Sequence, residues 1–272
     1  MVGKLLKHEL KYYSRSLAPV YMILAAVALL GRIVFFFEEE SVTYEILHGS
    51  SKAMLIIACI AAIFLCTLFC IIRFYKNMFS GEGYLTMTLP ATPTQHLVTK
   101  LLGAVIANVA TWIALVLAVC LFTVGPWLVE ICKAIAYIWK QIARLEDALE
   151  HVVRWMLEYG ILLLAGLFTT LLIYYTCICV GQLVKRNRIL AAVGVYFGLY
   201  VITQIASTVL MVVLSVTGAM DKFGVWISNL KEAQLLNWLH GFIWIAIGAV
   251  LLVGVLFFLI SRLIISRKLN LE

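Results

Sequence analysis

The stretch AMLIIACIAAIFLCTLFCIIRF, Ala53–Phe74, meets its first charge only at Arg73. A helix rises about 1.5 Å per residue, so about 20 apolar residues cross a hydrocarbon core of about 30 Å. Five further runs of the same kind lie on either side: Leu17–Phe37, Leu97–Val124, Tyr159–Val184, Ile189–Val216 and Gly241–Ile265. Inside lipid every backbone N–H and C=O must be paired within its own segment or barrel. These runs are continuously apolar, whereas barrel strands are short and alternate. The sequence therefore predicts an all-α, polytopic membrane protein with six transmembrane helices in one transmembrane domain. The first run is as long as a span and has no small-residue cleavage site, so it reads as a span rather than a removable leader.

Composition agrees. The 272 residues are 64% hydrophobic and 13% charged, against about 45–50% apolar and about 25% charged in soluble domains. The charges are sorted. With the N-terminus inside, thirteen of the 21 basic residues but only three of the 14 acids fall on the cytosolic side. The positive-inside rule then places both termini in the cytosol. The net charge of +7 speaks of anionic lipid headgroups rather than nucleic acid.

Residues 2–16 read as an amphipathic elbow helix ahead of the first span. At 100° per residue Lys4, Lys7, Lys11 and Arg15 form one basic stripe, with Leu6, Leu10, Tyr13 and Leu17 opposite. Such a helix lies in the membrane interface. It is an orientation anchor, and it could also touch a cytosolic partner. Arg32, late in the first span, is placed to snorkel toward Glu38, Glu39 and Glu40.

Two loops are long enough to have structure. On the cytosolic side, KNMFSGEGYLTMTLPATPTQHLVTK (Lys76–Lys100) holds a Gly81-Glu82-Gly83 turn, a short mixed segment Tyr84–Leu89, and the breakers Pro90 and Pro93. Thr92 or Thr94 can cap the helix that becomes the third span. The loop is either an ordinary connection or a docking surface held between two rigid spans. On the outer side, residues 128–158 are too charged to span. Ile131, Ile135, Ile138, Ile142, Leu145, Leu149, Val152 and Met156 alternate by four and three, and Lys133, Lys140, Asp147 and Arg154 recur every seven. This predicts a long amphipathic extracellular helix, packed on protein because its apolar stripe is narrow. The outer segment Thr217–His240, with Trp226 and Trp238, reads as short interfacial helices.

Chemistry-bearing motifs are absent from the sequence. It has no G-x-x-x-x-G-K-[ST] phosphate loop, no G-x-S-x-G, no H-E-x-x-H and no zinc spacing. All five histidines lie at or beyond span ends, and no span is read as carrying a buried acid for proton relay, which argues against an ion-coupled carrier. Six of the seven cysteines lie in spans and read as buried apolar thiols. Asn108, Gln204, Ser207 and Thr208 are polar within spans. Either they hydrogen-bond between helices, or they line a substrate path at a subunit seam.

GEGYLTMTLPATPTQHLVTKLL, from Gly81, resembles the signature of the type 2 ABC-transporter permeases of Gram-positive bacteria, whose loops read E-G-Y-L-T-x-T-L-P followed by a Lys at the third span. The opening KLLKHELKYYSRSLAPVY and the block Gly181–Ile205, GQLVKRNRILAAVGVYFGLYVITQI, are similar to theirs as well. The resemblance implies a six-span permease subunit of an ATP-driven exporter in the bacterial cytoplasmic membrane. It implies a second copy or homologous permease as partner, and separate cytosolic ATPase subunits. Gly81, Glu82, Gly83, Tyr84, Leu85, Thr86, Leu89 and Pro90 would form the coupling helix. This chain would supply no catalytic residue and hold no cofactor or metal; ATP and Mg would bind the partner. An antimicrobial-peptide immunity complex would use the same machinery. A non-transporting scaffold or sensor, binding an outer partner through residues 128–158, is the rival of a different class.

Overall fold

The computed structural model describes residues 2–35, 42–80, 83, 92–123, 126–142, 148–184, 187–230 and 232–267. These form eight α-helices: α1 (Val2–Phe35), α2 (Val42–Phe79), α3 (Pro93–Thr123), α4 (Pro126–Ile142), α5 (Ala148–Gly181), α6 (Arg188–Val216), α7 (Ala219–Ser228) and α8 (Glu232–Arg267). Six of them are long and apolar enough to cross a membrane. This is the make-up of a multi-pass membrane protein.

The breakers fall where the sequence puts them. Pro93 and Pro126 open α3 and α4, at first-turn positions where a missing N–H costs nothing. Thr92 and Gln95 close a reciprocal cap on α3: Gln95 N donates to Thr92 Oγ1 at 3.3 Å, and Thr92 N donates to Gln95 Oε1 at 3.1 Å. Gly218, at φ 66, turns the chain between α6 and α7 in a left-handed conformation that a side chain disfavours.

Two expected helices take a different form. The N-terminal amphipathic segment and the first span are one continuous helix, α1, with Pro19 inside it. The segment 128–158 falls on two helices of the described residues, with 143–147 outside them. Its first part is α4, and residues 148–158 are the opening turns of α5, continuous with the fourth span. A heptad pattern runs across both, and periodicity alone does not mark where a helix ends.

The chain forms two compact units, Met1–Glu146 and Asp147–Glu272. In the first, α1, α2 and α3 pack on one another, and α4 follows α3. Leu24, Val27 and Ala28 of α1, Leu55 of α2, and Ala118 and Phe122 of α3 make its apolar core. Gly103 lets α3 approach α1: a Cβ there would lie 3.2 Å from Glu9 Cβ and 3.4 Å from the Tyr13 ring. Tyr21 Oη and Thr111 Oγ1 hydrogen-bond at 2.8 Å across the same seam.

In the second unit α5 packs on α8 and on α6, and α7 follows α6. Thr169 donates to Val250 O at 3.0 Å, and Thr176 Oγ1 lies 3.1 Å from Phe257 O and 2.8 Å from Ser261 Oγ. The seven-residue steps match on both helices, the mark of a seam that stays in register. Gly181 brings α5 onto α6, since a Cβ there would lie 2.7 Å from Ala192 N. Small residues and hydroxyl ladders hold helices together in lipid, where apolar burial supplies no net drive between them. No residue of α6 is buried, and Val201–Val213 are all exposed, so its apolar surface faces whatever surrounds the chain.

Candidate functional site

The first unit buries a charge cluster around Glu9. Glu9 sits on the face of α1 that also carries Tyr13 and Leu17, all buried, while Lys4, Lys7, Lys11 and Arg15 are exposed on the other faces. The basic stripe expected from the 100° spacing is thus on the open side of the helix.

Glu9 takes three donors from two other helices. Lys100 Nζ of α3 donates to Oε1 at 2.9 Å, Arg73 Nε of α2 donates to Oε2 at 3.1 Å, and Asn77 Nδ2 of α2 donates to Oε1 at 3.3 Å. The Lys100 and Glu9 side chains are 4% and 9% exposed. The Arg73 guanidinium carbon lies 4.0 Å from the centroid of the Tyr12 ring, so α1 holds that cation with a carboxylate and an aromatic face together. A buried carboxylate between two cations is tolerated only when all of its charge is met by donors, as it is here.

Beside this cluster lies a cavity of about 180 Å³ lined by Leu5, His8, Glu9, Asn77, His96, Thr99 and Lys100. His96 Nε2 and Asn77 Oδ1 have no protein partner there. The cavity is large enough for bound water to meet both. The Glu9 cluster ties the start of α1 to the last turns of α2 and the first turns of α3, the two helices that flank residues 80–92.

Of the eight residues expected to couple to an ATPase, Gly83 alone is among the described residues; Gly81, Glu82, Tyr84, Leu85, Thr86, Leu89 and Pro90 lie outside them. Gly83 is buried, and its N–H donates to Ser80 O at 2.7 Å. A Cβ at Gly83 would lie 2.8 Å from Met78 O, a backbone contact too close for a side chain without a shift.

The polar residues expected along a pathway separate. Asn108 is buried in the first unit, donating to Ala104 O at 2.9 Å and to Cys70 Sγ at 3.6 Å. Gln204, Ser207 and Thr208 are exposed on α6, where both hydroxyls donate to Gln204 O of their own helix. The thiols also divide. Cys66, Cys70, Cys177 and Cys179 are buried and Cys59 partly so, but Cys120 and Cys132 are exposed. Cys120 departs from the expected burial because α3 turns that face away from its neighbours.

Sequence reading missed two buried acids. Glu9 is one of the three acids on the side read as cytosolic, and Glu158 immediately precedes the run Tyr159–Val184. Glu158 is 2% exposed and lies within the apolar helix His151–Gly181. That removes one ground on which ion coupling was set aside. The seven-residue spacing of His151 and Glu158 on one helix face was the available signal. Among the described residues, no group of three or more His, Cys, Asp or Glu side chains is placed to hold a metal ion.

The chain matches no protein-family model, no curated protein and no solved structure.

Proposed function

We propose that this chain is the membrane permease subunit of an ATP-driven exporter, and that residues 81–90 dock on a separate ATPase subunit. The feature that carries the proposal is the segment GEGYLTMTLPATPTQHLVTKLL between α2 and α3, with its resemblance to type 2 ABC permeases. The buried Glu9–Arg73–Lys100 cluster gives it a physical basis. A push on the segment reaches α2 and α3 at their ends, and the cluster carries it into α1. The ligand-driven step is a shift between two states of the permease, set by ATPase closure. In this reading the cluster lies at the cytosolic face, with both termini.

The test is purification of the tagged chain from its native membrane, with identification of the proteins that accompany it. An ABC ATPase is the expected companion, and Glu82→Arg or Tyr84→Ala should remove it and abolish ATPase stimulation. If both variants keep the complex and its stimulation, residues 81–90 are not the coupling element. If no ATPase accompanies the wild-type chain, the permease reading fails.

A further inference from the structure

The second unit carries its own polar centre where α5 and α8 begin. Glu158 and His240 are each 2% exposed. His240 Nδ1 lies 2.6 Å from Glu158 Oε2, while Trp244 Nε1 and Arg154 Nε donate to Glu158 Oε1 at 3.0 and 3.2 Å. On the far side of the same imidazole, His240 Nε2 lies 3.1 Å from His151 Nδ1. The two imidazole centroids are 5.3 Å apart with planes 21° apart. With that nitrogen separation, the rings meet end to end through their nitrogens. The Trp155 ring packs beside His240 at 5.6 Å.

Proton accounting shows what this chain of groups can bind. Trp244 Nε1 and Arg154 Nε both donate to the Glu158 carboxylate and favour its ionised form, and toward an ionised carboxylate His240 presents its hydrogen on Nδ1. The gap between His240 and His151 then holds one hydrogen. With both rings neutral, it belongs to His151 Nδ1 and points at His240 Nε2. One added proton, arriving from solvent on the other nitrogen of His151, leaves that geometry intact. The shared hydrogen can then sit on either ring, and the positive charge faces the Glu158 carboxylate. A second proton would put hydrogens on both facing nitrogens. It would also set two imidazolium charges and Arg154 against one carboxylate.

The remaining described side chains do not change this balance. On α5 the charged groups facing His240 are Arg154 and Glu158, with His151. Leu236–Trp244 of α8 carry no other titratable group. α7 meets α8 through Phe223 and Trp226 on Trp238, and its Asp221 and Lys222 are both exposed. α6, packed on α5, has Arg188 as its one charge.

We infer that Glu158, His240 and His151 form a proton-binding site that takes up one proton and joins α5 to α8 through the pair of imidazoles. His151 is partly exposed and His240 is not, so the proton enters through His151. The site needs no ATPase and uses none of residues 81–90.

The test is a histidine-ring NMR titration of the full chain in lipid nanodiscs, from about pH 8 to about pH 5, around the ordinary histidine value of about 6.5. His151 and His240 should take up the proton together, so that both rings change about one common midpoint. His151→Gln, at the exposed end, should move the His240 midpoint. Two independent one-step curves in the wild type would overturn the proposal. So would a His240 curve that His151→Gln leaves unmoved.

Discussion

Glu9 and Lys100, 91 positions apart, meet at 2.9 Å with both side chains nearly sealed from solvent. The pair joins the N-terminal helix to the third apolar helix, and Arg73 adds the second. Removing one member of such a pair is more costly than removing both, because it strands a buried charge.

Glu9→Gln should therefore destabilise the chain by about 3–5 kcal/mol, read as the loss of unfolding free energy of the purified protein in detergent. Lys7→Gln, on the exposed side of the same helix, should stay within about 0.5 kcal/mol of wild type. Adding Lys100→Met to Glu9→Gln should recover part of the loss. Equal stability of Glu9→Gln and Lys7→Gln would mean that the cluster carries no structural weight.

The Thr176–Ser261 contact at 2.8 Å predicts a measurable coupling between α5 and α8. A double-mutant cycle with Thr176→Val and Ser261→Ala should give about 0.6 kcal/mol, with roughly 1.7 kcal/mol as a ceiling for such bonds in membrane helices. A coupling of zero would show that each hydroxyl is satisfied within its own helix, as Thr176 can be by donating to Leu172 O at 2.8 Å.

Gly181→Val should push α5 away from α6, because the added carbons meet the backbone of Ala192 rather than a flexible side chain. Over-packing of this kind costs typically about 1–3 kcal/mol. The measurement is thermal unfolding, with Gly166→Ala as the control, since nothing lies within 4 Å of a Cβ there. Equal melting temperatures for the two variants would exclude the close approach.

Gly83→Ala should open the turn after α2, since its Cβ would press on Met78 O. Amide exchange at residue 83, whose N–H is bonded to Ser80 O, should become faster, while exchange in the body of α2 stays as it was. Unchanged exchange at residue 83 would show that the turn absorbs a side chain.

The helix ends show how far local signals reach. Thr92, Pro93 and Gln95 form the cap that their order in the sequence announces, because a cap is built from neighbours. The basic stripe Lys4, Lys7, Lys11 and Arg15 is legible for the same reason: one helix period fixes it. That residues 148–158 run on into the fourth apolar helix was not legible, since Ile131–Met156 keep one apolar rhythm. The burial of Glu158 was not legible because a hydropathy pattern ends a span at the first acid, while donors from a distant helix offset the cost of burying one.

The sequence by itself determined that this chain carries six membrane-length apolar helices, though α1, α2, α5 and α8 each begin well before the apolar run that marks them. Length and apolarity against lipid thickness settle that without any contact between helices. Which helices meet was decided only by the tertiary structure. Glu9 with Arg73 and Lys100, and Glu158 with His240 and His151, are single polar residues scattered over as many as 91 positions. Their chemistry depends on partners that no local spacing identifies. A buried charge is stable only in the geometry that pairs it, and that geometry exists only once the helices have packed.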